Sequence, residues 1–220
     1  MAESLTGIES TVTSLMRVKF SGSDVKVLEK KPLHQGFFKT TLYRLQHKLF
    51  RGGWSETIER EVMDRGHAVV VLPYDMERDE IVMLEQFRVG AIATSETPWL
   101  LELVAGMTEP GETVEAVALR ELDEEAGLTS DRLRFALSYL SSPGGLTERI
   151  YIYMARVDAR RASEYGGLAS EHEDIRVQAV TRADAMQLLD EGKIDNAATV
   201  IALQWLALHK ETLCNEWAQE

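Results

Sequence analysis

Glu121, Asp123, Glu124 and Glu125 put four acids into five consecutive positions, with only Leu122 between them. The stretch from Thr113 to Ala126 that carries them contains no Gly or Pro, opens on a capping residue type and stops at Gly127, so a helix is expected there. Its C-terminal end is electrically the wrong place for acids, because the helix dipole already concentrates negative charge there. Stepping ~100° per residue, Val114, Ala118, Glu121, Glu125 and Leu128 share one sector. Two carboxylates therefore extend an apolar line that should face the protein. Carboxylates ~6 Å apart repel by roughly 3 kcal/mol at an effective dielectric near 20, so a partly buried cluster needs a positive counterpart. Arg120 can pair with Glu124 at i,i+4, which leaves Glu121 and Glu125 as an all-oxygen site for Mg²⁺ or Mn²⁺ rather than zinc. An acidic helical run taken alone is more often a solvated face, and the neighbouring sequence has to decide.

That neighbourhood is Gly106-Met-Thr-Glu-Pro-Gly-Glu112, then seven residues to Arg120-Glu121-Leu122-Asp123-Glu124-Glu125-Ala126-Gly127-Leu128. Here the chain resembles the Nudix hydrolases, whose signature is Gly, five residues, Glu, seven residues, Arg-Glu, an aliphatic, any residue, Glu-Glu, any residue, Gly and an aliphatic. Every specified position is met. The resemblance implies an α+β fold, the Nudix α/β/α sandwich with a mixed sheet, and hydrolysis of a nucleoside diphosphate linked to another moiety.

Composition agrees with a soluble enzyme. The 220 residues, 45% of them hydrophobic, can bury one core plus a small accessory unit. The first residues, MAESLTGIES, lack a basic segment followed by an apolar run, and no apolar stretch approaches the ~18 residues of a membrane span, so a cytoplasmic protein is expected. A single cysteine, Cys214, precludes an intrachain disulfide and a cysteine-rich zinc module. The net charge of −12 argues against a broad nucleic-acid surface. The five histidines lack ligand spacing, and Trp54, Trp99, Trp205 and Trp217 read as packing residues.

Along the chain, short β-like segments (LMRVKF, DVKVLEK, FFKTTLYRLQHKLF) suggest an N-terminal β-rich domain over 1–60, followed by a catalytic domain over 61–220. In the second, HAVVVLPY and EIVMLEQFR read as a hairpin across DMERD, Trp99 to Val104 as one strand, and LRFALSYL, RIYIYMARV and DIRVQAV as further strands. The run from Ala162 to Glu173 has no apolar period and is a candidate lid. Helices are expected over Arg182 to Glu191 and from about Asn196 to Lys210.

Within the family the resemblance narrows to the bacterial ADP-ribose pyrophosphatase branch. Pro143, fifteen positions after Leu128, matches that branch's loop proline, and RGHAVVVLP, EQFR, SETPWLLELVAGM, GLASEHEDIRV and GKIDNAATVIALQWL extend the likeness over most of the chain. Carried over residue by residue, it implies metal held by Glu121, Glu125, Glu173 and the carbonyl of Ala105, with more than one Mg²⁺ per site. Glu171 is implied as the base toward the attacking water. Phe37 and Phe38 are implied near adenine, with Arg60, Glu61, Arg65 and Arg88 as further substrate contacts. Ser142, Pro143 and Gly144 would wall the diphosphate and distal sugar, and Glu148 would meet the terminal ribose. Glu112 is assigned to organising the loop before the helix, and Glu124 to a supporting role or a weak ligand. A homodimer that exchanges the N-terminal domain is also implied.

Each of these residues has a plainer reading: an aromatic pair on a strand is usually core, Arg60 and Arg65 would be solvated charges, and Glu148 an exposed acid at a strand start. Glu171 and Glu173 are acids two apart, so a shift of one position exchanges their roles. Other readings are a pyrophosphatase acting on GDP-mannose or another nucleotide sugar, a non-catalytic nucleotide-sugar sensor, and an NADH-cleaving enzyme, whose branch of the family carries a four-cysteine zinc ribbon where this chain has only Cys214. The complete acid set and the absence of residues for a separate winged helix argue against the sensor.

Overall fold

The computed structural model describes residues 17–219. Its contacts divide into two units: residues up to Arg65 together with Gly144–Leu146, and Gly66–Pro143 together with the chain from Thr147.

The first unit is an antiparallel sheet in the order β1 (Val25–Gln35), β2 (Lys39–His47), β3 (Ile58–Asp64). Because β3 pairs with β2 as far as Asp64, the unit runs past residue 60. Met63 N–H donates to the Gly145 carbonyl at 2.8 Å, which attaches residues 144–146 to this unit. The strand expected over LMRVKF does not form across residues 17–20, and its first two residues lie outside the described chain. Trp54 takes the ammonium groups of Lys26 and Lys48 at 4.0 and 4.6 Å from its ring centre.

In the second unit an apolar run builds the centre of the sheet. β4 (Ala68–Asp75) is buried at all but its first position, as a strand covered on both faces must be. The sheet path is β10 (Tyr165–Gly166), β11 (Ile175–Thr181), β5 (Glu80–Phe87), β4, β9 (Arg149–Arg156), β8 (Leu133–Leu140). β4 and β9 are parallel and the remaining pairs antiparallel, so the sheet is mixed. β4 and β5 pair only beside their turn, at Tyr74↔Ile81 and Asp75↔Glu80. The expected strand from Trp99 to Val104 is instead two: β6 (Trp99–Glu102) pairs with β5, and β7 (Val104–Met107) pairs with β4. Leu103, between them, is 1% exposed.

Strand alternation sends side chains to two cores. Val69, Val71, Val82, Leu84 and Ile175 pack with Val117, Ala118, Leu122 and Ala126 of α1 (Val114–Ala126). Val70, Leu72, Ile81, Met83 and Ile152 pack with Ala185 of α2 (Arg182–Asp190) and Ala202, Leu203 and Leu206 of α3 (Ala197–Ala218). This is an α/β/α sandwich. α3 continues eight residues beyond Lys210, where its apolar face resumes with buried Leu213 and Trp217. Cys214 packs, partly buried, against the same core. Trp99 is a correction to the packing expectation, being half exposed against Phe87. Among the described residues no helix is long and apolar enough to cross a membrane.

α1 begins where Thr113 Oγ1 accepts the Ala116 N–H at 3.2 Å and ends where Gly127 turns left-handed at φ 63°. Leu122 is fully buried whereas Leu119 is 41% exposed. Leu122→Ala is expected to cost ~2–5 kcal/mol and Leu119→Ala under ~1 kcal/mol, read from urea unfolding midpoints.

Candidate active site

The acidic end of α1 is the place where a charge enters the core. Glu125 is 1% exposed, and its Oε2 accepts the Ala105 N–H of β7 at 2.8 Å. Burial, added to by the charges of Glu121 and Glu173, pushes its pKa up to about 8. The Ala105 N–H and the charge of Arg88 oppose that rise.

Arg120 does more than pair with Glu124. Its Nη1 reaches Glu124 Oε2 at 2.9 Å and Glu121 Oε1 at 2.7 Å, while Nε reaches Glu112 Oε1 at 3.3 Å. Glu121 is thus not left over by the i,i+4 pair, as the helix geometry alone suggested. One guanidinium presents enough donors in a fork to serve three carboxylates. Burial raises the pKa of Glu121, and Arg120 works against that rise.

The run expected as a lid, from Ala162 to Glu173, is fastened at its near end, because the last carbonyls of a helix need donors. Ser163 N–H donates to Ala126 O at 2.9 Å and Gly167 N–H to Glu124 O at 3.0 Å. Gly166 lies so close that a Cβ there would collide with the Glu125 carbonyl. Beyond this anchor a 3₁₀ turn spans Ala169–Glu171. Glu173 accepts the Leu168 N–H at 3.3 Å, and its charge raises the pKa of both Glu121 and Glu125. Glu171 differs: among the described residues its carboxylate has no hydrogen-bond or ion-pair partner.

The second unit brings Ala105, Glu121, Glu125, Glu173 and Arg88 into one electrostatic neighbourhood. Ser142 and Pro143 are exposed in the β8–β9 loop, while Gly144 belongs to the first unit. Glu148 is 5% exposed rather than an exposed acid. Its charge adds to burial in pushing the Tyr139 pKa up to about 12. Phe37, Phe38, Arg60, Glu61 and Arg65 lie in the first unit. There Phe37 and Phe38 meet edge to face at 5.1 Å and both stay exposed, so the pair is not core. Arg60 Nη1 donates to the Glu59 carbonyl at 2.7 Å, and Glu61 pairs across from Leu42. Sequence reasoning missed Glu102, a buried acid that accepts from Arg88 at 2.7 Å. An acid inside the apolar run WLLELV was the signal available.

Among the described residues no three acid, histidine or cysteine side chains are already drawn together as a metal cage. Glu121, Glu125 and Glu173 each engage a protein donor instead. The residues nonetheless suit a hard divalent cation. All are oxygen donors, and the absence of a side chain at Gly106 lets the Glu121 carboxylate pack directly on β7, where a Cβ would collide with it. A cation there would also relieve the mutual repulsion that raises Glu125.

Glu125 has its pKa raised on folding, so its contribution to stability is full below the unfolded carboxylate value of ~4.3 and is lost as pH climbs through about 8. In EDTA, the melting temperature of Glu125→Gln minus that of the wild type should therefore grow more positive from pH 5 to pH 8.5. Saturating Mg²⁺ should reduce that difference, and a pH-independent difference in EDTA would contradict this account of the burial.

Residues 64–203 match the NUDIX domain. The chain is 56% identical to the ADP-ribose pyrophosphatase of Escherichia coli (strain K12) over 91% of its length and 96% of that protein. It is 45% identical to the ADP-ribose pyrophosphatase of Haemophilus influenzae over 90% of its length and 93% of that protein. The GDP-mannose pyrophosphatase of Cronobacter sakazakii is more distant, at 33% identity over 84% of this chain and 96% of the other. A crystal structure of an ADP compounds hydrolase superposes with a TM-score of 0.67 over 88% of this chain and 98% of the other, and at 22% identity it speaks to the fold alone. With its acidic helix inside a domain match that spans more than half its length, the chain belongs to the Nudix family.

Proposed function

We propose that the protein hydrolyses the diphosphate linkage of ADP-ribose to AMP and ribose 5-phosphate, with Mg²⁺, or Mn²⁺ in its place, as cofactor. The observation that carries this reading is the buried Glu125 held at the end of α1 by Ala105, set in a chain 56% identical to ADP-ribose pyrophosphatases. Glu121, Glu125, Glu173 and the Ala105 carbonyl would hold more than one cation. When bound, the metal supplies charge neutralisation on the diphosphate oxygens and a lowered pKa for the attacking water.

The chain's own groups do the rest. Glu171 accepts the proton of that water, and its carboxylate, without a partner among the described residues and lying beyond the Gly167 anchor, suits a base that is presented late. The water oxygen bonds to one phosphorus as the bridging P–O bond breaks, so each product keeps one phosphate. Arg88 meets a substrate phosphate. Phe37 and Phe38 take the adenine, Arg60, Glu61 and Arg65 contribute from the same unit, Ser142, Pro143 and Gly144 form the wall, and Glu148 accepts from the terminal ribose. The protein works as a cytoplasmic homodimer through its N-terminal unit. In support, β1 is exposed at all eleven positions, including Val25, Val27, Leu28 and Leu33, an edge that would gain from a second copy.

Products are to be analysed after incubation with ADP-ribose, GDP-mannose and NADH separately, each with Mg²⁺ and with EDTA. Metal-dependent AMP and ribose 5-phosphate, with little cleavage of the others, is the expected result. Preferential release of GMP and mannose 1-phosphate would move the assignment to GDP-mannose, and binding without cleavage would make the protein a sensor. Glu121→Gln and Glu125→Gln are each expected to reduce activity at least ~100-fold. Glu171→Gln should lower kcat by ~10²–10⁴-fold with KM little changed. Wild-type turnover in Glu171→Gln would transfer the base role to Glu173.

A further inference from the structure

We infer that Glu102 is the positioning residue for Arg88, and that Asn196, the N-cap of α3, holds Glu102 in turn. The inference rests on the reading above that Arg88 meets a substrate phosphate.

Glu102 closes β6 with 3% exposure, and a carboxylate buried that deeply has to be surrounded by donors. Its Oε2 accepts Arg88 Nε at 2.9 Å and Arg88 Nη2 at 2.7 Å, and Gln86 Nε2 lies at 3.5 Å. Its Oε1 accepts Asn196 Nδ2 at 2.9 Å. Two bonds from adjacent nitrogens to a single oxygen fix the guanidinium plane. Nη1 makes no hydrogen bond among the described residues, and the Arg88 side chain is 40% exposed. The pinned edge of the guanidinium thus faces the protein while Nη1 remains available to an anion. Arg88 is also near enough to Glu125 for its charge to oppose the rise in that residue's pKa.

The Asn196 amide cannot be reversed without loss. Its Oδ1 accepts Thr199 N–H at 3.1 Å as the cap of α3, so its Nδ2 must face Glu102. A glutamine at 102 would therefore either set an amino group against that of Asn196 or turn one toward Arg88. The same edge cannot satisfy both neighbours. The charge-assisted pair that holds the Arg88 plane would then be lost, and an ordered donor would become a mobile one.

The test is steady-state kinetics with ADP-ribose on wild type, Arg88→Ala, Glu102→Gln and the double variant, with melting temperatures alongside. Glu102→Gln is expected to raise KM about tenfold with kcat within about threefold. It should add nothing further in the Arg88→Ala background. Asn196→Ser keeps a capping oxygen but removes the donor to Glu102, and should raise KM several-fold; it also tests the link if Glu102→Gln does not fold. If Arg88→Ala raises KM while Glu102→Gln and Asn196→Ser do not, or if the effects multiply in the double variant, Glu102 is not positioning Arg88. If Arg88→Ala leaves KM unchanged, the phosphate contact assigned to Arg88 is wrong and Glu102 has nothing to position. If the wild type does not turn over ADP-ribose, the proposed function fails by itself. The same variants are then compared by calorimetric binding of ADP-ribose, where the non-additivity decides the Glu102 inference separately.

Discussion

The bond from the Ala105 N–H to Glu125 is the interaction on which the rest of the site depends. It lets a carboxylate enter the edge of the apolar core to which α1 gives Val117, Ala118, Leu122 and Ala126, and it ties α1 to β7. A charge so placed is unfavourable by itself, which is visible in its raised proton affinity. A cation bound there, as the proposed function requires, would offset it. The site is held in a state whose repulsion favours a ligand of opposite charge, as binding sites often are.

Arg120 is the protein's own answer to the same problem. By reaching Glu112, Glu121 and Glu124 together it joins the loop before α1 to the acidic turn that ends it. The carboxylates are thereby kept near one another without being locked, since an arginine fork that serves three acids can release one and remain satisfied by two. On the far side, backbone donors from Ser163 and Gly167 complete the helix end. The loop that carries Glu171 and Glu173 therefore starts from a fixed point on the helix that carries Glu121 and Glu125.

Local rules account for what could be read in the sequence. Thr113 and Gly127 bracket α1 because capping is decided by the residues at the ends, and the strands alternate or run apolar as their burial demands. Illegible features depend on partners remote in sequence. Nothing between Trp99 and Met107 says that the strand changes neighbour at Leu103, because the choice belongs to β4 and β5 as they diverge. The end of α3 was hidden by the polar stretch His209–Glu211, in which His209 and Glu211 are exposed and Lys210 pairs with Asp79, before Leu213 and Trp217 return to the core. Arg120's further contacts turn on side-chain rotamers, and Glu102's depend on a helix start 94 residues away.

The change of partner at Leu103 also limits how the protein can vary. Glu102, on the β6 side, holds Arg88, and Ala105, on the β7 side, holds Glu125, with two buried residues between them. The segment works as a ruler. Gaining or losing one residue would turn every later side chain to the opposite face of the sheet, so the arginine and the acidic helix could not both be engaged. Loops around the site can lengthen or shorten, but the spacing from 102 to 105 cannot drift. Among distant members of the fold, this interval rather than any single acid should be the feature that keeps its length.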